Sequence, residues 1–321
     1  MIAKIPLRFH PYLKTVIWGG DKICSYKGIP QPEPSIGESW EVAAVPGHES
    51  VVADGPYEGT SLTELIDIFG KSLLGENVYE RYNGKFPLLI KLIDANDDLS
   101  VQVHPDDTLA MKRHGSLGKS EMWYIIRPQK GAKIYAGFNT RLTPDDYEKR
   151  VEEGTFAETL AVHDSHPGDV FYLPAGRVHA IGAGNLLAEI QESSDITYRI
   201  YDYNRRDKEG NLRELHTAQA KDAIDYTLYD EYKTLPSETE KECNTLVRCE
   251  HFTTYKISVK GDHNLLLDMD SFAVLMCVEG KATLQYPSGN REIKQGETLL
   301  LPANLDRLKI QGEAVLLLSH C

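Results

Sequence analysis

The residues best suited to chemistry fall in two short β-like segments and one turn. Gln102 and His104 are two apart in one segment, and Lys119 and Glu121 are two apart at the start of the next. Alternate residues of a strand project from the same face, with Cα atoms about 6.6 Å apart, so the side chains of each pair can converge. His179 follows a Pro-Ala-Gly turn, where a third strand would begin.

These residues supply two imidazoles, one carboxylate and one amide. A borderline divalent cation such as zinc accepts nitrogen and oxygen ligands of this kind and keeps positions open for water or substrate. The alternative is that each histidine is an ordinary surface or hydrogen-bonded residue among the 11 in the chain. Glu121 favours the metal, because a carboxylate in an apolar strand needs a cation or good hydrogen bonds. Six other histidines are predicted to be solvated: His114, His163, His166, His216, His251 and His263.

An acid and an arginine lie ten residues apart downstream of His179. A long strand pair would place Glu189 and Arg199 at one pocket, whereas the alternative is a surface ion pair. The charged run at 205–208 is bracketed by Asn204 and Gly210, and we interpret it as a solvated turn.

Short β-like runs dominate the chain and must position these residues. They are bounded by Gly, Pro, Asn or Asp, as in sandwiches and barrels: 100–104, 121–126, 170–173, 186–191, 272–278 and 298–301. Helices are fewer. Ser61 and Glu64 form a capping-box pattern ahead of a helix that ends at Gly70, Thr143-Pro144 predicts another helical start, and 216–226 is helical in pattern.

An internal repeat predicts two related barrels. Gly168-Asp-Val-Phe-Tyr-Leu-Pro-Ala and Gly296-Glu-Thr-Leu-Leu-Leu-Pro-Ala share one spacing, although recurring turn chemistry is the alternative. The fifth residue after the proline is His179 in the first copy and Arg307 in the second. We therefore expect a catalytic domain over 1–240 and a degenerate domain over 241–321 that holds no metal, with an exposed linker at 235–241.

Composition excludes several classes of protein. The 321 residues are 41% hydrophobic and lack an apolar run long enough to span a bilayer. The net charge of −13 disfavours nucleic acid and anionic membranes as partners, although a local basic cluster can still bind a small anion. Five scattered cysteines indicate reduced thiols, and residues 1–20 lack the pattern of a signal peptide. We expect a cytoplasmic protein, monomeric or homodimeric.

The motifs in their order resemble type I phosphomannose isomerases in their short bacterial form. The resemblance runs from residue 18 to about 205. The segments that carry it are Trp18-Gly-Gly, Gly37-Glu-Ser-Trp-Glu, Phe86-Pro-Leu-Leu-Ile-Lys, Gln102-Val-His104-Pro, Lys119-Ser-Glu121-Met-Trp-Tyr, Leu173-Pro-Ala-Gly-Arg-Val-His179, Leu187-Ala-Glu189-Ile-Gln and Asp195-Ile-Thr-Tyr-Arg199.

This resemblance implies a mainly β fold of two cupin-type double-stranded β-helix barrels with a small helical insertion. It implies one zinc ion per chain, held by Gln102, His104, Glu121 and His179. Lys119, Glu189 and Arg199 occupy the positions of active-site residues in the family. The large helical domain of longer relatives is missing, together with any substrate contacts that it makes.

The implied reaction is the interconversion of mannose 6-phosphate and fructose 6-phosphate through an enediol. An α-proton beside a carbonyl becomes acidic enough only if the developing oxyanion is stabilised, which a bound cation does. Lys119 or Glu189 would move the proton, and Arg199 would hold phosphate or a developing negative charge. Two alternatives remain open at this point: an iron-dependent cupin oxygenase and a non-catalytic cupin that binds a sugar phosphate.

Overall fold

Strands make up most of the regular structure. The computed structural model describes residues 1–206, 210–235 and 243–321. Of the described residues, 41% lie in strands and 17% in helices, which confirms the mainly β prediction. The predicted domain boundary near residue 240 and nearly all of the predicted linker lie outside the described residues. No helix within the described ranges has the length and apolar character needed to cross a bilayer.

The described residues form 18 strands, seven α-helices and one 3₁₀ turn. The strands are β1 (Leu7–Arg8), β2 (Tyr12–Gly20), β3 (Ile36–Val42), β4 (Leu88–Ala95), β5 (Val101–Val103), β6 (Glu121–Ile125), β7 (Lys133–Phe138), β8 (Leu160–Asp164), β9 (Val170–Leu173), β10 (His179–Ile181), β11 (Asn185–Glu192), β12 (Tyr198–Tyr201), β13 (Cys243–Arg248), β14 (Thr253–Leu266), β15 (Ala273–Tyr286), β16 (Gly289–Lys294), β17 (Thr298–Leu301) and β18 (Arg307–His320). The helices are α1 (Lys22–Lys27), α2 (Leu62–Phe69), α3 (Lys71–Leu74), α4 (Glu76–Arg81), α5 (Asp107–His114), α6 (Pro144–Glu152) and α7 (Thr217–Ala223), with a 3₁₀ turn at Phe156–Thr159.

Three antiparallel sheets organise these strands. The first has the order β2-β3-β4-β11-β6-β9, and the second has the order β12-β5-β10-β7-β8. The third contains the C-terminal strands in the order β1-β17-β15-β18-β14-β13, with β16 on β15. The N-terminal strand β1 therefore pairs with the C-terminal sheet rather than with its sequence neighbours.

Alternation along the strands explains where the apolar core lies. In β6, Trp123 and Ile125 pack between the first two sheets, whereas Met122 and Tyr124 point to the other side, where the helices and the C-terminal sheet cover them. Strands covered on both faces are apolar throughout, so a polar residue among them stands out. The C-terminal sheet encloses a separate apolar core that includes Leu275, Leu299 and Leu316.

Three of the helix predictions are confirmed, with one difference in length. Ser61 caps α2 and forms the predicted capping box with Glu64. Thr143 caps α6, with Pro144 as its first residue. The third helix, α7, begins after His216 as expected but ends at Ala223, because Ile224 adopts an extended backbone conformation.

The internal repeat corresponds to equivalent structure in both halves. Gly168 and Gly296 both adopt positive φ, 85° and 81°, in the turn before a short strand, which favours glycine. The strand that follows the turn is β9 in one half and β17 in the other, and the next strand begins at His179 in the first half and at Arg307 in the second.

Candidate metal centre and active site

Three buried ligand groups meet between the first two sheets. The Nε2 atom of His104 lies 3.4 Å from one carboxylate oxygen of Glu121, and the Nε2 atom of His179 lies 3.3 Å from the other. All three side chains are at most 2% exposed. Strand pairing brings them together, because His179 on β10 lies opposite Gln102 on β5, two residues before His104. The structure thus places the predicted cluster in one site.

Backbone carbonyls orient both imidazole rings. The Nδ1 atom of His104 lies 2.8 Å from the carbonyl oxygen of Ile196, and the Nδ1 atom of His179 lies 2.9 Å from that of Arg177. A neutral imidazole has one N–H, and Nδ1–H is the one that can donate to a carbonyl. The lone pair of each Nε2 atom then faces Glu121, as in histidines that bind a metal.

The local electrostatics keep the three groups in the protonation states of metal ligands. Burial and the nearby Lys119 lower the pKa of His104 to about 3. Burial also lowers the pKa of His179. Burial opposes ionisation of Glu121, but the adjacent ammonium of Lys119 holds the pKa of Glu121 well below its ordinary value. Two neutral imidazoles therefore face one carboxylate.

The carboxylate of Glu121 has unused capacity for a cation. Neither of its oxygens accepts a hydrogen bond of acceptable geometry from the described part of the chain, and both are inaccessible to solvent. The Nζ atom of Lys119 lies 2.7 Å from one of them and 3.1 Å from the Nε2 atom of His104. Buried lone pairs of two nitrogens and two oxygens within a few ångströms fit a zinc-type cation.

Gln102 reaches the same cluster. Its side-chain nitrogen lies 3.3 Å from the Nε2 atom of His179. A half-turn of the amide group presents its oxygen, an acceptor, to the cluster instead. The amide is thus in a position to supply a fourth ligand.

Glu189 lies one side chain away from the cluster. Its carboxylate accepts a hydrogen bond from the indole nitrogen of Trp123 at 2.9 Å and pairs with Lys91 at 2.9 Å. The Trp123 ring meets the ring of His179 edge-on, with centroids 5.3 Å apart. The predicted acid therefore joins the same interior, but its carboxylate is already engaged. The nearby acids Glu189 and Glu38 raise the pKa of Lys91, against the opposing effect of burial.

Arg199 lies on the same sheet face as the candidate metal ligands. It pairs across β12 and β5 with Gln102, and its Nη1 atom donates to the carbonyl of Glu214 at 2.8 Å. Burial and the nearby guanidinium of Arg213 lower the pKa of Arg199, but an arginine remains charged near neutral pH. The Nε atom is buried and has no hydrogen-bond partner among the residues that the structure describes, so this guanidinium has donor capacity left.

Two further arginines, Arg205 and Arg213, lie near Arg199. Arg205 and Arg213 both bind the carboxylate of Asp202, with Nε of Arg213 2.6 Å from that carboxylate. The interpretation of 205–208 as a solvated turn is wrong for Arg205, whose side chain is only 15% exposed, because Asp202 holds it against the barrel. Positions 207 and 208 lie outside the described residues.

Sequence reasoning missed the roles of Lys91, Trp123 and Arg213. Lys91 is the one basic residue in β4, an otherwise apolar strand apart from Asp94, and that contrast was an available signal. Trp123 and Arg213 carried no comparable signal, because their partners Glu189 and Asp202 are brought to them only by strand pairing and by the return of the chain.

Comparison with known proteins identifies the family. Residues 7–124 match the catalytic domain of phosphomannose isomerase type I, and residues 242–321 match the cupin domain of mannose-6-phosphate isomerase. The chain is 39% identical to the mannose-6-phosphate isomerase ManA of Bacillus subtilis over 318 residues, which is 98% of each chain. It is 33% identical to the mannose-6-phosphate isomerase of Streptococcus mutans over 98% of each chain.

Solved structures agree with these sequence relationships. The crystal structure of the mannose 6-phosphate isomerase from Bacillus subtilis superposes with a TM-score of 0.88 at 35% identity, over 98% of this chain and 99% of that one. These matches confirm the predicted cupin-type fold, the predicted enzyme class and the resemblance on which both depended. The chain belongs to the family of type I mannose-6-phosphate isomerases.

Proposed function

We propose that the chain interconverts mannose 6-phosphate and fructose 6-phosphate at one zinc ion held by Gln102, His104, Glu121 and His179. The observation that carries this proposal is the buried convergence of two neutral imidazoles on a carboxylate with no hydrogen-bond donor of good geometry. Membership of a metal-dependent isomerase family supports it. Zinc accepts this mixed nitrogen and oxygen donor set.

Bound zinc supplies Lewis-acid stabilisation of the negative charge that develops on substrate oxygen. The protein contributes by holding the reacting carbons beside a group that can move a proton between C2 and C1. Lys119 is well placed for this step, because its Nζ atom lies among the ligand atoms. Glu189 is the second candidate, and we assign its carboxylate to orienting Trp123 and Lys91 if Lys119 alone moves the proton.

Arg199 is the proposed partner of the substrate phosphate. The cluster of Arg199, Arg205 and Arg213 around Asp202 concentrates positive charge in a chain whose net charge is −13. A planar guanidinium donates two parallel hydrogen bonds to a phosphate. The unused Nε atom of Arg199 is consistent with such a role.

We also propose a domain organisation, a partner and a cellular location for the protein. Residues 1–240 form the catalytic domain and residues 241–321 a domain without a metal. The partner is a small sugar phosphate, and the protein acts as a monomer or homodimer in the cytoplasm. Thiols support this location: Cys24, Cys249, Cys277 and Cys321 form no disulfide among the described residues.

The two alternatives find less support. An iron-dependent oxygenase needs open positions for oxygen, whereas the basic groups around this site suit an anionic sugar. A non-catalytic binding module would not require Lys119 to border the ligand atoms. Oxygen consumption with iron, or sugar-phosphate binding without turnover, would favour these alternatives.

The direct test is a coupled assay for fructose 6-phosphate formed from mannose 6-phosphate, with glucose 6-phosphate as the comparison substrate. We expect turnover of mannose 6-phosphate that a chelator abolishes and zinc restores. Preference for glucose 6-phosphate, or no turnover with zinc bound, would contradict the proposal.

Replacing Arg199 by alanine should raise KM for mannose 6-phosphate at least about 10-fold. The reason is the loss of a charge-assisted hydrogen bond, which contributes roughly 1.5–3 kcal/mol. Steady-state kinetics measure the change, and Arg141→Ala at an exposed position is the matched control. Unchanged kcat and KM would make Arg199 a structural residue only.

A further inference from the structure

A polar connection joins the C-terminal sheet to the catalytic interior through His251. This histidine lies in the turn between β13 and β14, and its Nδ1 atom lies 3.1 Å from the Oε1 atom of Glu192. The side chain of His251 is 15% exposed and that of Glu192 only 2%. The prediction that His251 is solvated is therefore wrong, because packing against the first barrel covers it.

Glu192 links His251 to the segment that carries the proposed site residues Lys119 and Glu121. It is the last residue of β11, and its second oxygen accepts a hydrogen bond from the backbone N–H of Ser120 at 2.7 Å. The backbone N–H of Glu192 donates to the carbonyl of Ser120 at 3.1 Å. Ser120 stands between Lys119 and Glu121, so both of its main-chain polar groups are fixed by one residue.

The segment needs such support because it lies just outside the sheet. Strand β6 begins at Glu121, so Ser120 precedes the strand and is held there by its two hydrogen bonds with Glu192. The hydroxyl of Ser120 also accepts a hydrogen bond from the N–H of Ala175 at 3.3 Å, in the turn that leads to His179. Ser120 therefore connects the two segments on which the proposed metal ligands Glu121 and His179 lie.

The arrangement is matched to a buried carboxyl group. Burial raises the pKa of Glu192 to about 7. In its neutral form the carboxyl, like the amide of glutamine, still has an oxygen that can accept the hydrogen bond from Ser120. The other oxygen faces the imidazole of His251 and accepts no hydrogen bond of acceptable geometry from the residues that the structure describes.

A cation is the competing explanation for this cluster. Asp107, Glu192 and His251 present ligand atoms within 4.8 Å of one another. Asp107 is exposed, however, and its Oδ1 atom already accepts a hydrogen bond from the N–H of Gly118 at 2.7 Å. Glu192 makes two hydrogen bonds with Ser120 and faces His251 at 3.1 Å. A positioning role therefore accounts for more of its contacts than a cation site does.

We propose that Glu192 and His251 are positioning residues, through which the C-terminal sheet holds Ser120 and thereby sets the places of Lys119 and Glu121. The inference rests on the proposed function of those two residues. It gives the C-terminal part of the chain a task in the reaction although it supplies no metal ligand.

The test compares Glu192→Ala, Glu192→Gln and His251→Ala in the full-length zinc protein. Zinc release to a chromogenic chelator and steady-state kinetics are measured on each. Loss of groups that orient metal ligands changes metal affinity or activity about 10–100-fold. We expect Glu192→Ala to release zinc at least about 10-fold faster and to lower kcat by a similar factor, with KM within about 2-fold. Glutamine should restore both, and His251→Ala should change both in the same direction by at least about 3-fold.

Tyr26→Phe is the matched control. It removes another hydrogen bond to the C-terminal sheet, from the Tyr26 hydroxyl to the carbonyl of Val278 at 2.6 Å, which involves neither Glu192 nor Ser120. We expect lower thermal stability with unchanged zinc release and kcat. If Tyr26→Phe changes zinc release as much as His251→Ala does, general loosening of the contact explains the result and the proposal is overturned.

Two further outcomes overturn the inference. One is unaltered zinc release and kcat in both Glu192→Ala and His251→Ala. The other is Mn²⁺ binding by the zinc-loaded protein that Asp107→Asn abolishes together with kcat, which would make the cluster a cation site. Failure of the proposed function can be told apart from failure of this inference. It would appear as absent turnover in the unmodified protein, whereas the rate of zinc release from the variants would still test the positioning role.

Discussion

Replacing His104 or His179 by alanine should remove zinc and activity together. Each Nε2 atom faces the carboxylate of Glu121 from about 3.3–3.4 Å. The loss of either imidazole therefore leaves the other imidazole, the Glu121 carboxylate and the Gln102 amide for the metal. We expect zinc content below about a tenth of an equivalent and a similar loss of kcat/KM, because zinc binds through imidazole, thiolate and carboxylate ligands and only two of these would remain beside the amide.

Metal analysis on dialysed protein and the coupled assay measure these two quantities on the same samples. His166→Ala is the control, since that side chain is 67% exposed and lies outside the cluster. Circular dichroism must show that the variants remain folded. Retention of a full equivalent of zinc in either variant would contradict the proposed ligand set.

Replacing Lys119 by methionine should lower kcat by about 10² or more while zinc stays bound. This is the usual scale for the loss of a group that transfers a proton. The Nζ atom of Lys119 borders the proposed ligands, but an ammonium group donates hydrogen bonds and does not bind a metal. Lys130→Met changes an exposed lysine in the same way and should leave kcat unaltered.

Glu189→Gln separates the two candidates for the proton. The amide oxygen can still accept the indole hydrogen bond of Trp123, but the charge that pairs with Lys91 is lost. A fall in kcat of about 10² with zinc retained assigns proton transfer to Glu189 as well. A normal kcat in both Lys119→Met and Glu189→Gln would remove both residues from that role.

Local patterns were sufficient to predict which side chains meet at the candidate metal site. Period-two spacing placed Gln102 with His104 and Lys119 with Glu121, and the turn after Pro174 placed His179 at the start of a strand. Strand bounds differ slightly, because β5 ends at Val103 and β6 begins at Glu121, so His104 and Lys119 lie just outside their strands. Their side chains nevertheless meet, with the Nζ atom of Lys119 3.1 Å from the Nε2 atom of His104.

Contacts between distant segments were beyond local patterns. Lys91 and Glu189 are 98 residues apart and meet only because β4 and β11 are neighbours in one register. The link from His251 to Glu192 likewise depends on how the C-terminal sheet packs against the first barrel. Periodicity identifies which face of a strand a residue occupies, but not which strand lies beside it.

The most direct test of the central claim is a zinc titration of metal-free protein, followed by fructose 6-phosphate formation from mannose 6-phosphate. The account predicts no turnover without metal, a linear rise with added zinc and a break at one equivalent per chain. Full activity in metal-free protein, or a break at two equivalents, would contradict it.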